Sequence, residues 1–119
     1  MYINGFVLAV AEGNKEAYRD IAEKFWDIVK DHGAIEHVEA WEADVPDGTQ
    51  TDFRRAVQVA DGEKVVFSWV IFPDKATSDA SRDKMMADPR MKAFEGDMPF
   101  DGKRMIYGGF EPLVLKGRG

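Results

Sequence analysis

Glu63-Lys-Val-Val-Phe-Ser-Trp-Val-Ile-Phe72 decides how this chain folds. It reads as a strand that is apolar at both parities, with Val65, Phe67, Trp69 and Ile71 on one side and Val66, Val70 and Phe72 on the other. A strand with one wet face carries a polar residue at every second position, so this pattern belongs to a strand covered on both sides. Tyr2 to Val10 has the same character: Ile3, Val7 and Ala9 oppose Phe6, Leu8 and Val10. A sheet built on two such strands needs apolar cover above and below.

Working outward, Lys15 to His32 carries Tyr18, Ile21, Ala22, Phe25, Ile28 and Val29 at helical spacing, with Trp26 at the edge of the stripe. Asn14 suits the N-cap and Gly33 the left-handed residue that ends a helix. Ile35 to Val45 reads as another strand, placing Ile35, His37, Glu39, Trp41 and Ala43 on one face, and Pro46-Asp-Gly48 is a turn. Within residues 51–60, Phe53, Ala56, Val57 and Ala60 suggest a short helix capped by Thr51 or Asp52. A hairpin strand turning at Asp61-Gly62 is the alternative. Pro73-Asp74 opens a second long helix to about Asp88, with a thin apolar face of Ala76, Ala80, Met85, Met86 and Ala87, and Pro89 closes it. Arg90 to Phe94 adds a further helical turn. Met98-Pro-Phe-Asp-Gly-Lys-Arg-Met-Ile-Tyr-Gly-Gly-Phe110 packs a proline turn, an Asp-Gly reversal, two cations and the start of a last strand, Arg104 to Val114, into little space. Lys116 to Gly119 should fray.

The order β-α-β-(short α)-β-α-β matches the ferredoxin-like α+β sandwich, an antiparallel sheet with helices on one face. Its other face is apolar here. The economical cover is a second copy packed sheet to sheet, a homodimer forming an α/β barrel.

The 119 residues suit one domain, and 45% hydrophobic with 12% aromatic residues exclude disorder. A formal net charge of -6 offers no overall positive field for nucleic acid or anionic membrane. Cysteine is absent, which removes disulfides, thiol catalysis and thiolate metal sites. The N-terminal apolar run lacks a basic lead and is too short for a signal peptide or membrane span. A soluble cytoplasmic protein is the expectation.

Three groups of residues could carry chemistry. His37 and Glu39 point the same way on one strand, so the carboxylate could orient the imidazole as a general base. Trp41 shares their face, and Trp69 and Tyr107 are expected beside them. Asp52 with Arg54, and Asp101 with Lys103 and Arg104, could either lock loops or hold an anionic ligand at a barrel mouth, loop-locking being the commoner use. No metal-ligating spacing accompanies His32 and His37, and no cofactor motif stands out; Gly108-Gly109 sits in a strand without the spacing of a nucleotide loop. Ser68 reads as a satisfied core hydroxyl. The methionines read as packing residues.

Four blocks of the chain resemble the YbaA-like bacterial family of unknown function. They are Glu39-Ala-Trp-Glu-Ala-Asp-Val-Pro-Asp-Gly48, Thr51-Asp-Phe-Arg54, Val65-Val-Phe-Ser-Trp69, and Lys84-Met-Met-Ala-Asp-Pro-Arg-Met91 through to Phe110. The resemblance implies a ferredoxin-like fold of the dimeric α/β-barrel type and no established catalytic residues. Barrel-forming relatives of that shape include cofactor-free monooxygenases. It thus permits oxidation of an aromatic or polyketide-like substrate, with His37 or Asp52 taking a proton and Trp41, Trp69 and Tyr107 holding a ring. The other expectation is a non-catalytic interaction or stress-related module with a filled barrel. A continuous cavity reaching His37 and Trp41 would distinguish the first from the second.

Overall fold

The structure, a computed structural model, describes residues 1–117; residues 118–119 of the expected frayed tail lie outside the described residues. Four antiparallel strands form one sheet: β1 (Tyr2–Ala11), β2 (Glu36–Trp41), β3 (Glu63–Phe72) and β4 (Ile106–Phe110). Their order across the sheet is β2-β3-β1-β4, so the two strands apolar on both faces are central. That is the ferredoxin-like arrangement. α1 (Lys15–Val29) and α3 (Lys75–Met86) lie on one face, while the short α2 (Phe53–Ala56) lies at an end of the other.

Register assigns every side chain to a face, because directly opposed residues point the same way. Leu8 opposes Val66, Phe6 opposes Ser68 and Asn4 opposes Val70, and all of these face the helices. Gly5 opposes Trp69, Val7 opposes Phe67 and Ile3 opposes Ile71 on the open face. The helix-side core divides into two clusters, Leu8, Val10, Tyr18 and Val66 in one and Tyr2, Val29, Ala34, Val70 and Phe72 in the other. A third cluster, Ala9, Val57 and Val65, sits under the residues that follow α2, so part of the open face is already covered.

The ends of elements follow local chemistry. Residues 51–60 take the helical alternative: Asp52 caps α2 by accepting from the Arg55 amide at 2.7 Å. Asp74 caps α3 in the same way through Thr77. Asn14 makes no side-chain cap, because Glu12–Asn14 is already a 3-10 turn feeding straight into α1. β2 is shorter than the 35–45 expected, since the chain leaves the sheet after Trp41 toward Pro46. β4 is shorter than Arg104 to Val114, because Gly102–Arg104 forms a 3-10 turn capped by Asp101.

The packing face of α3 differs from the expected one. Ala76, Ala80, Met86 and Ala87 are exposed, and the helix instead buries Ser78 and Ser81. Serine can sit there because its hydroxyl is satisfied locally: Asn4 Nδ2 donates to Ser78 Oγ at 3.0 Å and Ser81 Oγ donates to the Ser78 carbonyl at 2.7 Å. Close approach is also visible where α1 ends. Gly33 has φ +108°, and a Cβ there would lie 2.4 Å from Thr77 Cγ2. Thr77 cannot simply rotate away, since its hydroxyl is held by Asp74 at 2.7 Å.

Candidate functional site

Between the sheet and α1 lies a chamber of about 220 Å³. Its walls are Phe6 and Leu8 from β1, Ile21 and Phe25 from α1, and Val70 from β3, with Met91, Phe94, Phe100 and Met105 bordering its outer side. Those last four belong to the connection after α3, which runs through a 3-10 turn at Pro89–Phe94. Both ends of this strap are pinned. Arg90 reaches Asp88 at 2.8 Å, Asp31 at 2.9 Å and the Asp27 carbonyl at 3.1 Å, and His32 Nε2 lies 2.9 Å from Asp88. At the other end Arg104 bonds both oxygens of Glu63 at 2.8 Å, the Gln58 carbonyl at 2.8 Å and Asp101 at 3.1 Å. The Arg104 bond, and then the Ala60 amide, hold the Glu63 carboxyl down to about 2. The Arg90 and His32 bonds likewise hold Asp88 well below the usual carboxylate range.

One edge of the chamber is polar. Glu39 on β2 is directly opposite Ser68 on β3, and both face α1, where Tyr18 stands. Tyr18 donates to Glu39 Oε1 at 2.6 Å, Ser68 donates to Oε2 at 2.8 Å, and His37 Nε2 lies 2.6 Å from that same Oε2. The polar tips point mainly at one another, so most of the chamber wall is hydrocarbon, with the Glu39 edge its polar part. Burial, then the charge of Glu39 and its hydrogen bond, push the Tyr18 phenol far up, so Tyr18 keeps its proton. His37 is held between rings, edge-on to Phe25 at 5.4 Å and stacked near Trp26 at 6.5 Å.

Tyr18, His37 and Glu39 also form the inner wall of a second space, an open groove of about 830 Å³ between α1 and the β2 edge. Lys15, Trp26 and Trp41 line it, with Lys15 Nζ 5.1 Å from the centre of the Trp41 ring. The network is therefore a partition between an apolar, partly open chamber on one side and the solvent-facing groove on the other. Chemically it can orient the His37 imidazole, and with Nε2 donating to a carboxylate the remaining nitrogen, Nδ1, is an acceptor.

The structure brings His37, Glu39 and Trp41 to one face, and Trp41 reaches the groove rather than the chamber. It does not bring Trp69 there. Trp69 opposes Val38 and Gly5 on the open face, where its indole donates to Glu36 at 2.9 Å. Tyr107 opposes Phe6 on β4, at the far edge of the sheet from β2, and is 74% exposed. Asp52 is committed to α2, accepting from the Arg55 and Gly48 amides, which hold its carboxyl low. Arg54 pairs with Glu42 and Arg104 with Glu63 and Asp101, which is the loop-locking use of these arginines. Tyr18 and Ser68 were the members that sequence reading left out of the site. The signal was present for Ser68, a polar residue between Val66 and Val70 on the same strand face, since a buried hydroxyl there requires a partner.

Among the described residues, no group of three or more His, Asp or Glu side chains is placed to hold a metal ion. No helix among them is long and apolar enough to cross a membrane.

A four-stranded antiparallel sheet in this order, with two helices on one face, defines a ferredoxin-like α+β protein. Solved structures share that shape at low identity. A dimeric ferredoxin-like protein from an uncultured marine organism matches with a TM-score of 0.66 at 10% identity, covering 99% of this chain and 100% of that one. An uncharacterised NIPSNAP domain protein from Burkholderia xenovorans matches with a TM-score of 0.58 at 14% identity, over 99% and 100%. In sequence, residues 1–102 match the family described as protein of unknown function DUF1428. The uncharacterised protein YbaA of Escherichia coli K12 is 55% identical over 113 residues, 95% of this chain and 97% of YbaA. The chain belongs to this YbaA-like DUF1428 family.

Proposed function

We propose that this protein is a cytosolic homodimer that binds a small, mostly apolar molecule in the chamber between sheet and helices. The observation that carries the reading is the chamber itself: about 220 Å³ of mostly hydrocarbon-walled space that reaches His37, though not Trp41, and is bordered by the hydrogen-bonded His37–Glu39–Tyr18–Ser68 network. Pockets of this kind, apolar with a few convergent polar groups, are where small ligands bind. A cavity of about 150 Å³ already accepts benzene. In a catalytic version His37, oriented by Glu39, takes a proton from the bound molecule, as in a cofactor-free monooxygenase-like reaction in which dioxygen is the oxidant. The size of the chamber favours a single-ring substrate over a polycyclic one.

The open face supports self-association. Phe67, Ile106 and Phe110 are 45%, 46% and 59% exposed there, around an apolar groove of about 670 Å³ that also includes Trp69 and Leu115. A strand of ten residues at about 3.3 Å each, in a sheet with strands about 4.8 Å apart, presents a face of about 30 by 15 Å. That is about half of the roughly 800 Å² per partner that stable pairs bury, and the exposed Leu113, Val114 and Leu115 add to it. The marine relative in shape is described as dimeric, which agrees with a second copy as the cover.

Xenon distinguishes this reading from a filled interaction module. Under a few atmospheres of xenon, the methyl resonances of Leu8, Ile21 and Val70 should shift while that of the exposed Leu113 stays. No shift at the three chamber positions would mean the space is filled, and the module reading would replace this one.

A further inference from the structure

Resting on the chamber reading above, the hydrogen-bond accounting of the polar edge says what kind of molecule fits. Glu39 accepts from Tyr18, Ser68 and His37, and a carboxylate has about four lone-pair sites, so one is left. Each donor has spent its proton on Glu39. The Tyr18 and Ser68 oxygens retain lone pairs, and a neutral imidazole with Nε2 protonated retains an acceptor at Nδ1. With His37 in that neutral form the network has acceptors left over and no donors, and its Glu39 carboxylate lies beside a hydrocarbon space. No buried side-chain nitrogen or oxygen among the described residues lacks a partner, so the network needs nothing from a ligand to be stable.

We infer that the chamber selects an uncharged, one-ring molecule that donates a hydrogen bond, a phenol or an aryl amine, over its acceptor-only and anionic analogues. The volume admits one ring with a few further heavy atoms and no second substituted ring. A donor on that ring adds a bond to the unused lone pairs at the Glu39 edge. An ether or ketone brings an acceptor that finds no donor and is desolvated without return. A carboxylate brings charge against charge in an apolar space.

The test is a titration followed by methionine-methyl NMR, comparing phenol, anisole and benzoate on the wild-type protein. Met91 and Met105 line the chamber, and Met86 is 83% exposed on α3, so three methyls report binding and its location without any substitution. Phenol should shift Met91 and Met105 and leave Met86 in place. It should bind at least tenfold tighter than anisole, since a bond to a charged acceptor is worth that much. Benzoate should cause no shift at Met91 or Met105. Glu39→Gln, which replaces one acceptor by a donor, should bring the phenol-to-anisole ratio toward one. Anisole or benzoate binding as tightly as phenol at Met91 and Met105 would overturn the donor rule and leave the chamber standing. No shift at either methyl with phenol or anisole would overturn the chamber reading itself.

Discussion

Replacing Trp69 by aspartate is expected to convert the proposed dimer to a monomer while leaving the protomer folded. Trp69 lies on the open face, opposite Gly5 and Val38 and beside Phe67, with ring centroids 5.6 Å apart. In a lone protomer an aspartate there remains in contact with water. In a sheet-to-sheet pair it is buried twice, once per copy, and each copy already places Glu36 close to Trp69. Burying an unpaired carboxylate costs several kcal/mol even after relaxation, and about 1.4 kcal/mol is a factor of ten. Two such costs should weaken association at least a thousandfold. Sedimentation would show the change in mass, and circular dichroism would show whether the protomer keeps its fold. A variant that sediments as an unchanged dimer would refute the open face as the interface.

The second large effect is expected from Glu39→Leu, and it falls on stability. Leucine fills much of the same volume but leaves the protons of Tyr18, Ser68 and His37 without an acceptor. Ser68 is 2% exposed and Tyr18 8%, so water cannot readily take over. An orphaned buried donor costs about 1–3 kcal/mol, which puts the total near 4 kcal/mol after partial relaxation, a large share of a typical domain's stability. Tyr18→Phe, which removes one donor and leaves the other two paired, should cost only about 1 kcal/mol. Combining Tyr18→Phe and Ser68→Ala with Glu39→Leu should recover part of the loss, since the orphaned groups go with their partner. Urea unfolding measures all of these variants. A Glu39→Leu protein as stable as wild type would mean the network is not formed as described.

How much of this was legible in the sequence depended on the range of the interaction. The central strands declared themselves, because Val65 and Val66, or Phe6 and Val7, are apolar neighbours that can be satisfied only by cover on both faces. Caps were readable where the side chain bonds three residues on, as Asp52 and Asp74 do. His37 and Glu39 were readable as a pair because a two-residue step on a strand returns to the same face.

What one strand cannot tell is which face of its neighbour it shares. Trp41 and Trp69 look equivalent in their own strands, but the register puts Val66 opposite Trp41 and so sends Trp69 to the other side. Tyr18 joins Glu39 across 21 residues and Ser68 across 29, through helix packing and strand pairing that no local pattern encodes. The α3 face was misread for a different reason. Alanine and methionine outrank serine in hydropathy, yet Ser78 and Ser81 are buried because their hydroxyls are satisfied within the fold.

Native mass spectrometry of the untagged protein, purified gently from its own host, tests the central claim most directly. The account predicts twice the chain mass with a reproducible increment of about 100–200 Da per protomer, the weight of one substituted ring that fits this volume. A bare dimer, or a monomer, from preparations that retain native charge states would contradict it.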